Sequence, residues 1–198
     1  MKSFAFSRWL AALSFLALAG CAGTYTLDNT VQSFSQLPAL AQPATYRFER
    51  LPSQQAPDQG QLEAFADPAL HAAGLRRDDA SPRFSVQINA RVERTISPWA
   101  DPWDRFGWGW GAWGGRRHWG MGMGMGGGYP LEPSWFHRQV DVVVRDLGSN
   151  RVVYESRAVS DGPYFDSAKV FPAMFGAALQ GFPNPPAGPR QVNIQIPG

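Results

Sequence analysis

The sequence predicts an α+β fold in which two helices pack on one face of a mainly antiparallel sheet, in two layers. Three observations carry that expectation. Residues 84–93 alternate apolar and polar without a break, the pattern of a strand with one wet face. Residues 140–147 are rich in β-branched Val142, Val143 and Val144, Gly148-Ser149-Asn150 turns the chain, and 152–159 returns it, which reads as a hairpin. Two further stretches repeat apolar residues at helical spacing. The order strand, strand, helix, three strands, helix, strand gives two amphipathic helices to cover one sheet face.

A first strand is expected near 30–34, after a tether, so that residues 21–44 read as tether and first strand and 45–198 as the domain. In 45–51, Tyr46, Phe48 and Arg50 face one way and Thr45, Arg47 and Glu49 the other. Residues 52–60 are a polar loop. In 61–73, Leu62, Phe65, Ala66, Ala69, Leu70 and Ala73 form one stripe. Pro68 is expected to interrupt that helix, with Asp67 capping a second short one and Gly74 ending it. Phe84, Val86, Ile88, Ala90 and Val92 make the apolar side of the clearest strand. The second helix spans about 168–180, striped by Val170, Phe171, Met174, Phe175, Ala178 and Leu179, with Pro172 expected in its first turn. Residues 183–189 form a rigid link, and 191–196 close the chain as an alternating strand.

Residues 1–20 read as an export signal. Lys2 and Arg8 precede an apolar run over 9–19 that is broken only by Ser14, too short to span a bilayer as a helix. The run ends in Leu18-Ala19-Gly20-Cys21, which resembles the lipobox of bacterial lipoproteins. Small side chains at 19 and 20 suit a narrow protease site, and the Cys21 thiolate is the nucleophile that accepts a diacylglyceryl group. Cys21 is the only cysteine, and lipidation would consume a thiol otherwise exposed to an oxidising envelope. Two or three acyl chains, each methylene worth about 0.8 kcal/mol, would make the attachment effectively permanent. By resemblance to Gram-negative lipoproteins, Ala22 after the cysteine implies an outer-membrane position facing the periplasm. Loss of Lys2 and Arg8 takes eighteen basic residues to sixteen, against sixteen acidic ones. A charge-balanced chain argues against nucleic acid as a partner.

Several of these features together resemble a known family. The lipobox, the helix ending in Ala72-Ala73-Gly74-Leu75, the hairpin over 140–158, and the Phe171-Pro172-Ala173-Met174-Phe175 helix ending in Phe182-Pro183 are similar to the bacterial lipoproteins called domain of unknown function 4136. Tyr154 stands where that family usually has Trp, and Arg83 follows Pro82 where an Asp is common. The resemblance implies the anchor and the fold. It implies no catalytic residue, because the family has no established activity.

The insert over 98–135 is the anomaly. It holds eleven of twenty-one glycines and seven of eight tryptophans: Trp99, Trp103, Trp108, Trp110, Trp113, Trp119 and Trp135. The eighth, Trp9, belongs to the export signal. The insert reads either as a low-complexity loop whose aromatics fold back on the sheet, or as an aromatic contact segment for a membrane interface, a glycan or an envelope protein. Within it, Met121, Met123 and Met125 alternate with glycine beside His118. Soft thioethers with a histidine give an alternative reading as a copper site, although the same run is simple low-complexity sequence. No cofactor is expected. An enzyme is not expected either, since no nucleophile elbow, His-Glu-x-x-His or phosphate loop is present.

Overall fold

A computed structural model describes residues 23–40, 42–99, 134–163 and 166–197. Among these residues two α-helices and one seven-stranded, mostly antiparallel sheet form an α+β architecture. The strands are β1 (Thr24–Ser35), β2 (Thr45–Phe48), β3 (Arg76–Arg77), β4 (Phe84–Thr95), β5 (Trp135–Asp146), β6 (Arg151–Gly162) and β7 (Arg190–Pro197). The helices are α1 (Asp58–Ala72) and α2 (Ser167–Leu179). Across the sheet the order is β3-β2-β4-β5-β6-β1-β7. The sheet is mixed, because β2 runs parallel to both β3 and β4. The expected mainly antiparallel sheet thus carries a parallel portion at this edge. The chain passes through α1 between β2 and β4, and such a crossover returns a strand in the same direction.

Alternation sets one face against the helices. Leu27 and Val31 of β1, Phe84, Val86 and Ile88 of β4, Val140, Val142 and Val144 of β5, and Tyr154 and Ala158 of β6 are all buried on it. α2 covers β5, β6, β1 and β7, while α1 meets β4 and β3, and the two helices pack on each other. From α2, Val170, Met174, Phe175, Ala178 and Leu179 turn inward. Each large apolar side chain so buried contributes about 1.5–3 kcal/mol.

Helix ends are satisfied locally. Asp166 caps α2, its carboxylate accepting from the Ala168 N–H at 3.0 Å. At the other end the Ala178 carbonyl accepts from the Tyr154 hydroxyl at 2.8 Å and the Ser156 hydroxyl at 2.7 Å. Sheet side chains thus complete a turn whose carbonyls would otherwise lack donors. α1 ends at Gly74, which takes φ +92°, a conformation that only glycine adopts without strain.

Three expected boundaries move. α1 is one helix that starts at Asp58 and runs through Pro68, not two short ones. Pro68 cannot donate to the Ala64 carbonyl, but both residues are exposed, so that carbonyl stays open to solvent. Pro172 is an interior residue of α2 and lies beyond its first turn. β1 begins at Thr24 rather than Thr30 and is paired along its length with β6 and β7.

Candidate functional site

The register brings five chain ends to one end of the sheet. Thr95 of β4 stands opposite Trp135 of β5, and Phe136 opposite Gly162 at the close of β6. Thr30 pairs with Val159, and Thr24 with Pro197. The start of β1, the roots of the 98–135 insert and the last residues of β7 therefore share this end, opposite the Gly148–Asn150 turn. Adjacent strands lie about 4.8 Å apart, so three steps from β1 to β4 span about 14 Å. Only Ala22 and Gly23 separate β1 from Cys21.

Exposed apolar surface gathers at the same end. Val92 is 43% exposed, Ile96 56% and Trp99 85%. Beside them a cleft of about 470 Å³ opens between the start of α1 and β4. Leu62, Phe65, Ala90, Val92 and Phe171 line it, with Gln54, Gln59, Gln61 and Asn89 at its rim. The cleft offers apolar walls and amide groups, and no charged side chain except Asp58.

On the helix-facing side a polar row crosses the sheet at the level of Val92. Arg138 lies opposite Val92 and Ser160, and one step along the β1 register Asn29 stands beside Ser160. Arg138 is 1% exposed. Its guanidinium lies 4.8 Å from the centroid of Phe136, and burial pulls its pKa below the usual guanidinium value. Asn29 donates to the carbonyls of Leu27 at 3.1 Å and Val192 at 3.0 Å. It ties β1 to β7 by a side chain as well as by the ladder.

The opposite, helix-free face is wet and laced with charge pairs. Arg157 meets Asp141 at 2.8 Å, and His137 Nδ1 meets Asp161 at 2.7 Å. Beneath α1 two further pairs are structural. Glu63, almost fully buried, takes both arms of Arg50 at 2.5 and 2.8 Å. The Tyr46 hydroxyl donates to Asp67. Burial first, and that bond second, push the Tyr46 pKa far above its ordinary value. A phenol held protonated in this way is a donor, not a base.

Of the expected site residues, Trp99 lies exposed just after β4. Trp135 is the first residue of β5 and half-buried, so it belongs to the sheet rather than the insert. Cys21, Trp103, Trp108, Trp110, Trp113, Trp119, Met121, Met123, Met125 and His118 lie outside the described residues. Among the described residues no group of three or more His, Cys, Asp or Glu side chains could hold a metal ion. Sequence reasoning missed Arg138, Glu63 and Asn29. Each is a polar residue at a position where the period demands an apolar one, and that interruption is their only signal.

A family model described as Domain of unknown function (DUF4136) matches residues 30–184. The chain belongs to this family. A search of curated proteins finds no match. Among solved structures, the PelC dodecamer from Paraburkholderia phytofirmans is 15% identical, with a TM-score of 0.46, covering 76% of this chain and 95% of that one. A PDZ domain protein from Parabacteroides distasonis is 13% identical, with a TM-score of 0.48, covering 95% of this chain and 42% of that one. Likenesses this distant say nothing of what this member of the DUF4136 family binds.

Proposed function

We propose that the chain is an envelope lipoprotein, acylated at Cys21. Its α+β domain serves as a non-catalytic binding or structural module and presents the 98–135 insert to the membrane surface. The carrying observation is convergence: β1, the first element after Cys21, starts at the sheet end from which the insert leaves and returns. An acyl anchor two residues ahead of β1 would hold that end against the bilayer. Tryptophans favour the headgroup region, where the ring is buried and the N–H stays wet. A tethered domain needs only weak extra contacts to lie on the surface, since its effective concentration there is high. Exposed Ile96 and Trp99 extend the apolar surface toward the same side. Ala22 supports sorting to the outer membrane.

The direct test is Cys21→Ser. The reading expects loss of metabolic labelling by a fatty-acid analogue, a mass lower by the acyl groups, and release from the membrane fraction. Unchanged labelling and sedimentation would refute the anchor. Trp fluorescence with and without anionic vesicles then tests the insert. A blue shift is expected, whereas an unshifted spectrum would move the partner to a glycan or an envelope protein.

A further inference from the structure

Among the described residues, the second half of β4 has one neighbour too few. β2 flanks it only from Phe84 to Val86. Beyond that, the Glu49 N–H donates to the Val86 carbonyl at 2.9 Å, and Gln54 Nε2 donates to the Ile88 carbonyl at 2.8 Å. Both bonds lie on the side away from β5, which fixes the parity: even-numbered residues of β4 aim their backbone groups outward. Ala90, Val92 and Arg94 continue that series, and among the described residues no backbone hydrogen bond from outside the β4–β5 ladder reaches them. The side chains on this stretch are as unusual as the edge. Arg91 and Glu93 are exposed on one face, and neither has a hydrogen-bond or ion-pair partner among the described residues. Val92 and Ile96 are exposed on the other.

We infer that two copies of the chain join through this open edge, β4 against β4 in antiparallel fashion, with Val92 on the two-fold axis. The centre is set by charge. Antiparallel pairing about Val92 places Arg91 opposite Glu93 of the second copy and Glu93 opposite Arg91, so one unpaired couple becomes two matched ones. Centring the pair on Arg91 or Glu93 would set like charges face to face. Parity agrees, because the outward groups of Val92 meet those of Val92, and the groups of Ala90 meet those of Arg94. Each such pair exchanges two backbone hydrogen bonds. The odd-numbered Arg91 and Glu93 then fall at positions where opposed side chains approach most closely. On the helix-facing side Val92 packs on its equivalent, and the pairing ends at Ala90 and Arg94, because Gln54 already occupies the edge at Ile88. The contact is isologous, so it closes at two copies. A junction of one strand pair belongs with the small, reversible interfaces, below roughly 1,200 Å². Antiparallel pairing turns the Cys21-proximal end of one copy away from that of the other, so this contact is an alternative to the end-on membrane contact proposed above and stands independently of it.

Sedimentation velocity of the full chain in detergent, over a concentration series, tests the pairing. Expected is a reversible monomer–dimer equilibrium. Arg91→Glu or Glu93→Arg alone should raise the dissociation constant about tenfold or more, since each change appears twice in the dimer. Combining the two substitutions in one chain should restore the wild-type constant. Mixing the two single variants should give a heterodimer tighter than either variant alone, which also shows that both are folded. Hydrogen exchange should report protection of the Ala90, Val92 and Arg94 amides that grows with concentration. A wild-type chain monomeric throughout, a dimer indifferent to both charge reversals, or protection independent of concentration would each overturn the inference.

Discussion

From Phe84 to Ile88, β4 has covered edges, and its inward side chains Phe84, Val86 and Ile88 are sealed under the helices. From Ala90 to Thr95 only β5 remains beside it among the described residues, and every residue from Arg91 to Thr95 is exposed. Both halves carry the same alternation of apolar and polar residues. The difference lies in neighbours, and periodicity does not encode neighbours. A strand's sequence tells which face is dry. It does not tell whether the edge is occupied, and the edge is where a fold remains available to other chains.

The contrast can be broken most forcefully in the sealed half. Ile88→Ala should cost about 2–4 kcal/mol, because the surrounding strands and helices cannot collapse onto the vacancy; urea denaturation measures it, and a loss under 1 kcal/mol would show that this half is loosely packed. Shortening comes next. Replacing residues 98–133 by a short glycine-containing turn between the roots of β4 and β5 should raise stability by about 1–2 kcal/mol, since loop closure grows with the logarithm of length. A fall in stability instead would mean that the insert packs on the domain.

At the closed end, Asp146 pairs across from Phe84 and holds the hairpin turn. Its carboxylate accepts from the Ser149 N–H at 2.7 Å and the Ser149 hydroxyl at 3.0 Å. Those bonds, the backbone one foremost, draw its pKa below the usual carboxylate value. A depressed folded pKa means stability that is present above the unfolded value, near about 3.9, and lost as pH falls through the folded one. Asp146→Asn should therefore cost about 1 kcal/mol at neutral pH and flatten the acid limb of the stability profile below about pH 4. An unchanged limb would assign it to other carboxylates. The smallest effect belongs to the open half: Val92→Ala should change monomer stability by under about 0.5 kcal/mol. A larger loss, measured at concentrations where the chain is monomeric, would mean that the edge is covered within its own copy.

Much of the fold was legible because most strands keep strict alternation. β4, the 148–150 turn, α2 and β7 could be placed from side-chain period alone. Where polar residues face inward, the period breaks and the reading shortens. Asn29 on the dry side of β1 hid its first half. Arg138 did the same for β5, whose expected start at 140 is the first inward position after it. β3 is two exposed arginines, held by a parallel ladder that no local pattern announces. The candidate site was legible only in part. Composition marks the insert, but the convergence of its roots with the start of β1 depends on strand order, which arises from long-range pairing.

That strand order also has a consequence in time. β1 is the first strand to be made, yet it lies between β6 and β7, the last two. Thr24 must wait for Pro197, so most of the described chain has to be made before β1 finds both partners. Pairings between such remote stretches form slowly. Were the chain exported and acylated at Cys21 as proposed, a periplasmic chaperone would meanwhile face an extended, unclosed β1 within reach of the lipid.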